Sequence, residues 1–404
     1  MSVAIKDRPM VEFNHQSPEF ARNWRAKVAE IHRIGPVVWT NAHGGHWIIA
    51  DRELVEQAAQ DWETFSSLNV VDGSPGAPRG ILIPPLEQPL TLNEQDPPES
   101  TERRMLEAKF FAPAYLRKWA EYAEKYLDQA IDEAIAKGGG EFVHDIGLRV
   151  PAKTTLTLVG VDPDDWESIA MPAHKITRVP ATSPDYPYDE LARIHQKLVD
   201  LILERGERPR DDMASSLAKA TIGGQPLDPQ IGAGMLLTLA TGGFDTATAM
   251  LSHSFIWLAD HKDQWPPLLE DDGKLVYAIN ELFRAYPSNV GTARNVTRDV
   301  EFGGQLLRKG DRVMLCWSAA NYDPQVFPDP EQIRLDRPNS HRHLTFGAGG
   351  HRCLGSPLAR IEIKAVFKAI MTRMPNYRVD KASVEYFENI GNVNGIARLP
   401  FTVD

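Results

Sequence analysis

The stretch Phe346-Gly347-Ala348-Gly349-Gly350-His351-Arg352-Cys353-Leu354-Gly355 decides how the rest of the 404-residue chain is read. Three glycines precede the cysteine, and glycine lets the backbone take positive φ and approach a flat object closely. Leu358, Ala359, Ile361, Ile363, Val366 and Ile370 follow at helical spacing and predict a largely buried helix over 355–373. A cysteine at a helix N-terminus has a lowered pKa, and its thiolate can ligate a metal. On these residues alone Cys353 is a small core residue, a metal ligand or a nucleophile. For zinc, Cys316 is the only other cysteine, and no second Cys/His pair has suitable spacing. No matched His/Asn pattern raises the nucleophile reading.

Two cysteines make no disulfide framework, which fits a reducing compartment, so a cytoplasmic location is expected. Met1 to Met10 carry charges and no apolar core, so no signal peptide is expected. No stretch reaches the roughly 18 apolar residues of a membrane span. The longest candidate, Ile231 to Ala259, contains Asp245. Lys and Arg total 44 against 55 Asp and Glu, a net charge of −11. That balance disfavours nonspecific binding to nucleic acid or an anionic membrane, and neither is expected as a partner. No low-complexity linker or internal repeat divides the chain, so residues 1–404 are expected to form a single domain.

The pattern predicts a mainly α fold with small β-sheets. Two short strands lie within 37–50, around Gly44–Gly45. The Pro- and Gly-rich stretch 70–95 reads as a long surface loop. Leu116 to Ala134 keep a helical period that Gly138–Gly139–Gly140 stops. Further helices are predicted around 190–206, 229–260 and 273–285. Strands are predicted within 292–316, with a Gly303–Gly304 turn, and a hairpin from Gly391 to Phe401.

The helix over 229–260 has Asp228 as a cap and Pro229 at its first position. It spans about 48 Å at about 1.5 Å per residue. In its middle lies Gly242-Gly243-Phe244-Asp245-Thr246. Each glycine costs roughly 1 kcal/mol relative to Ala. The Thr246 hydroxyl competes for the Gly242 carbonyl, four residues back, which predicts a bend and a groove. A glycine-assisted helix crossing is the equal alternative. Glu281 and Arg284 lie three apart on the next helix, and such a pair is by default a surface ion pair.

The cysteine stretch resembles, at every fixed position, the cysteine-ligand loop of the cytochrome P450 family: Phe346, Gly349, His351, Cys353 and Gly355. The resemblance implies that fold, with haem b between the long central helix and the cysteine loop and helix. Cys353 would be the proximal thiolate ligand, which pushes electron density into the iron. Asp245 and Thr246 would be the acid–alcohol pair that delivers protons over the haem. Arg104, Arg294 and His351 would hold the haem carboxylates, with Ser100 where many bacterial members have His. Glu281, Arg284 and Arg337 would form a buried structural ion cluster. Tyr322 stands where Arg is frequent.

The implied function is a bacterial-type soluble monooxygenase. It would insert one oxygen atom from dioxygen into a small or medium lipophilic substrate. Two cysteines cannot hold an iron–sulfur cluster that needs four, so electrons would come from a separate ferredoxin with its reductase. Arg103, Lys109, Arg342 and Arg352 are its expected basic docking residues. By position, Ile83, Thr238, Thr241, Gly242, Val290, Asn392 and Val393 would line the substrate pocket. Alternatives are a peroxygenase, reductase or isomerase on the same fold, or a non-enzymatic haem sensor or carrier.

Overall fold

The computed structural model describes residues 8–70, 77–86, 89–180 and 183–404. Parts of the loop read over 70–95, namely 71–76 and 87–88, lie outside them. Thirteen α-helices run in chain order among the described residues. They are α1 (Pro18–Ile34), α2 (Arg52–Gln60), α3 (Glu99–Ala108), α4 (Pro113–Lys137), α5 (Arg149–Val159), α6 (Trp166–Ile176) and α7 (Tyr188–Glu207). Then follow α8 (Met213–Ala218), α9 (Pro229–Asp260), α10 (Pro266–Glu270), α11 (Asp272–Ala285), α12 (Trp317–Asn321) and α13 (Ser356–Arg373).

The long helix α9 organises the molecule. The Asp228 carboxylate accepts from the Gln230 N–H, and Pro229 occupies the first turn, so the start is fixed by its own side chains. Apolar residues lie all round it, and a helix of that kind is stable only when neighbours cover every side. Helices α5, α6, α7 and α8 pack along it. Its C-terminal half enters a core with α4, α11 and α13 through Leu251, Phe255, Leu282 and Phe367, and its N-terminal half packs with α5 and α7. Helix α4 ends where Gly138 takes a left-handed φ of 71° and its N–H closes on the Ala134 carbonyl.

The main sheet has the strand order Val37–Thr40, His46–Ile49, Arg312–Leu315, Thr292–Val296, Phe65–Ser66. Val38 pairs with Ile48, and Val313 with Arg294, which sets Arg294 in the sheet interior. Strands Val300–Phe302 and Gln305–Leu307 pair across Gly303–Gly304. The expected hairpin from Gly391 to Phe401 is absent. Ile396–Arg398 pairs with Glu385–Tyr386, whereas Pro400–Thr402 pairs with Gly139–Glu141 and Arg378–Val379. Leu399 is fully buried at the crossover, and its N–H donates to the Glu141 carboxylate, so the chain passes between two sheets instead of turning back.

Candidate active site

A cavity of about 320 Å³ lies between α9 and the cysteine stretch. Gly242, Gly243, Thr246 and Ala247 form one wall, and Phe346, Gly347, Ala348, His351, Cys353 and Leu354 face them. The stretch reaches the cavity because its glycines permit it. Gly347 and Gly349 adopt φ of 69° and 65°. A Cβ at Gly349 would lie 2.0 Å from the Ala59 carbonyl oxygen, so only glycine lets the loop seat against the end of α2. The Cys353 N–H donates to the Phe346 carbonyl at 2.9 Å and closes the loop.

The Cys353 side chain opens onto the cavity interior. Its thiol pKa is raised, contrary to the expectation from a helix N-terminus. Burial outweighs the lowering by the Gly355 N–H, Arg104, the Ser356 N–H and Arg352. Cys316 is a core residue of the sheet side, with its thiol pushed up to about 12 by burial. Among the described residues no three His, Cys, Asp or Glu side chains come together as a metal site, so a zinc site at Cys353 has no ligand set.

Three nitrogen-bearing side chains from three elements meet in the same cavity. Arg104 projects from α3 and donates to the Arg352 carbonyl. Arg294, 3 % exposed, donates to Ala293 O at 2.7 Å and Thr292 Oγ1 at 3.3 Å. Neither guanidinium has a carboxylate ion-pair partner within the protein among the described residues. Burial pulls Arg294 down to about 10. Both ring nitrogens of His351 are buried and lack a side-chain partner; the one polar group near the ring is the Gln95 backbone. Burial, then Arg294 and Arg104, hold that ring down at about 3, so it is neutral. Buried cations are costly without an anion beside them. The cluster therefore calls for an anionic group in the cavity. Ser100 is buried in the first turn of α3 and does not line this space.

The two candidate proton-handling residues on α9 point different ways. The Thr246 hydroxyl donates to Gly242 O at 2.8 Å and lines the cavity. Asp245 is 2 % exposed and turns toward α6. His174 Nδ1 lies 2.6 Å from its Oδ1, and the Thr177 hydroxyl donates to its Oδ2 at 2.8 Å. Helix α9 remains a continuous α-helix through both glycines. Gly243 abuts Thr155, where a Cβ would lie 2.8 Å from the hydroxyl oxygen, but nothing approaches a Cβ position at Gly242, which borders the open cavity. His174 and Thr177 were not found from the sequence. They lie about seventy residues from Asp245, His174 in the last turn of α6 and Thr177 just past its end, in a stretch whose pattern carries no chemical signature.

Of the seven expected pocket residues, Thr238 and Gly242 line the cavity. Thr241 bonds its hydroxyl to Leu237 O and does not line it. Ile83, Val290 and Val393 pack instead into the sheet-side core, and Asn392 lies outside the lining as well. Ile81, Ser288, Asn289 and Thr292 stand at the wall in their place. The shift from Val290 to its neighbours follows from the apolar side chain being drawn into the core.

The cytochrome P450 family model matches residues 275–392, which include the Glu281–Arg284 helix and the cysteine stretch. A steroid C26-monooxygenase of Mycolicibacterium smegmatis is 30 % identical over 297 residues, 72 % of this chain and 73 % of that protein. The chain belongs to the cytochrome P450 family. A steroid C26-monooxygenase of Rhodococcus jostii is 28 % identical over 86 % of this chain and 75 % of its own length. The solved structure of the Mycobacterium marinum cytochrome P450 CYP268A2 in complex with pseudoionone superposes with a TM-score of 0.87 and 27 % identity. That superposition covers 98 % of this chain and all of the other. This P450 is accordingly a haem-thiolate monooxygenase that draws its electrons from a redox partner.

The residues present fit haem. A thiol faces the cavity, two glycines of the cysteine stretch hold left-handed backbone near it, and Arg104 and Arg294, without carboxylate partners among the described residues, line it with His351. The segment beneath is locked by a buried ion cluster. Arg284 donates to both Glu281 oxygens at 2.9 and 2.8 Å, and Arg337 Nε lies 3.0 Å from each. The remaining guanidinium N–H groups donate to the carbonyls of Asn321, Pro328, Pro330 and Gln332. Glu281 and Arg284 are both fully buried, so this is no surface pair. Glu281 is shared by both guanidiniums, and backbone carbonyls accept from their remaining N–H groups, so the charge left over is met by hydrogen bonds, a condition under which burial is tolerated. No helix is long and apolar enough to cross a membrane among the described residues.

Proposed function

We propose that the Cys353 thiolate would hold the iron of haem b, with Arg104, Arg294 and His351 holding its carboxylates and Phe346 packed beside the loop. One observation carries this reading: a thiol, two guanidiniums without carboxylate partners and a buried imidazole without a side-chain partner share one cavity. Haem, when bound, supplies the activation of dioxygen for insertion of one oxygen atom into the substrate. The protein's own part is to exclude water, seat the substrate and move protons. The substrate is a small or medium lipophilic molecule, held against Ile81, Thr238, Gly242, Asn289 and Thr292. Thr246 presents its hydroxyl to the cavity, and Asp245, reached from α6, is the acid behind it. Residues 1–404 act as one cytoplasmic domain.

The electron donor is an acidic ferredoxin, itself served by a reductase. It docks on the cysteine side, where Lys109 and Arg352 are exposed and Arg103 and Arg342 half-exposed. Arg352 makes no ion pair among the described residues, which leaves its charge for a partner.

The test is the reduced protein with carbon monoxide. A strongly red-shifted Soret band of thiolate-ligated haem is expected. Cys353→Ala abolishes it and Cys316→Ala keeps it. A normal band in the Cys353 variant overturns the assignment.

A further inference from the structure

The cavity also holds a carboxyl group. Glu107 lies one helical turn beyond Arg104 on α3, fully buried, and lines the same cavity. Neither of its carboxyl oxygens has a hydrogen-bond partner. A carboxylate left so would carry a large desolvation cost. Among the described residues Arg104 is the one charged group that acts on it, and the two form no ion pair. Burial outweighs Arg104 and pushes the carboxyl up to about 8, within reach of a small change in the local field.

We propose that Glu107 takes up the proton that accompanies entry of the first electron into the haem cavity. The inference rests on the haem reading of that cavity. Bound haem would take up the one electron that the redox partner supplies. One proton from solvent adds to a Glu107 carboxylate oxygen and leaves a neutral carboxyl group. The added negative charge is offset by the added proton, and no other bond forms or breaks. The physical reason is Coulombic. In a cavity of low effective dielectric a second negative charge is expensive, so reduction makes ionised Glu107 less favourable. Linkage makes this reciprocal: protonated Glu107 makes reduction more favourable. Glu362 is the rival. It is also buried in the cavity wall and pushed up to about 8, but Thr154 bonds to it and a single oxygen lacks a partner.

The experiment is a spectroelectrochemical titration of the haem-loaded enzyme between about pH 6.5 and 9.5. A tenfold change in proton activity corresponds to about 59 mV for one electron. The wild-type potential is expected to fall with pH by up to that amount per unit across the titration of Glu107, and to flatten on either side. Glu107→Gln is expected to remove the slope, and Glu362→Gln to keep it. A reduced-minus-oxidised infrared spectrum of the wild type, independent of any variant, should show a carboxylic acid C=O band gained on reduction. A flat wild-type potential, a slope surviving in Glu107→Gln, a slope lost only in Glu362→Gln or no gained band overturns the proposal. If the carbon monoxide spectrum lacks the thiolate band, the haem reading itself fails. A normal band with a flat potential removes this inference alone.

Discussion

His174 Nδ1 and Asp245 Oδ1 lie 2.6 Å apart, joining α6 to the middle of α9. The acid is thereby held off the cavity that its neighbour Thr246 lines. Asp245→Asn is expected to slow product formation by about 10²-fold and to enlarge the solvent isotope effect, as loss of a proton donor does. His174→Phe leaves a buried carboxylate oxygen short of a partner. It should lower stability by about 1–3 kcal/mol in thermal unfolding. Unchanged turnover and isotope effect in Asp245→Asn would make that carboxylate a purely structural tie.

Thr246→Ala keeps haem and substrate binding but removes the hydroxyl at the cavity wall. Electrons should then leave as peroxide or water in place of product. The ratio of product to electrons consumed measures this. An unchanged ratio would reduce Thr246 to a helix residue that bonds the Gly242 carbonyl.

Glu281→Gln removes the one carboxylate shared by Arg284 and Arg337, both buried. Breaking such a cluster costs about 3–5 kcal/mol, against about 0–1 for an exposed pair. Little folded, haem-loaded protein is expected. Wild-type yield and melting temperature would contradict the burial described for the cluster.

Acid should destabilise the fold through its buried imidazoles. Burial lowers His253 to about 4 and His343 to about 3. Below the unfolded value near 6.5 the unfolded chain binds protons that these rings refuse in the fold. Each therefore removes about 1.4 kcal/mol per pH unit as pH falls from about 6.5 toward its folded value. His253 stacks on Tyr286 with ring centroids 5.2 Å apart, so an aromatic replacement retains the packing. His253→Phe should flatten the dependence of melting temperature on pH between about 6.5 and 5. An equal slope in both proteins would show that His253 does not contribute.

Reduction by an acidic ferredoxin should slow as salt screens the docking charges. Reversal of Arg103, Lys109 and Arg352 to Glu should slow it further and weaken the salt dependence. If rate and salt dependence are both untouched, the donor docks elsewhere or is not acidic.

What the sequence made legible was whatever a local signal encodes. Asp228 and Pro229 mark the start of α9 to the residue, because a cap and a proline act within one turn. The glycines before Cys353 announced a loop of unusual backbone. The final hairpin was misread because two strands in close succession usually pair, and the sequence does not say that Leu399 must cross between sheets. Glu107 and His174 stayed hidden for the same reason. Each lies in an ordinary amphipathic helix, and its chemistry comes from partners, or a lack of them, across the fold. The lowered thiol pKa inferred for Cys353 counted nearby N–H groups and left out the burial that opposes them.

Tyr322, where the family often has Arg, carries a consequence for anyone shortening the chain. Its hydroxyl donates to Ala285 O at 2.8 Å and accepts from Arg25 Nε at 2.9 Å. Arg25 sits on α1, and its guanidinium also lies 4.6 Å from the Trp24 ring. The positive charge missing at 322 is thus brought in by the N-terminal helix, which clamps the end of α11 behind the Glu281 cluster. An N-terminal deletion that removes α1 would take away a keystone of the cysteine-side scaffold, although no residue of α1 lines the cavity.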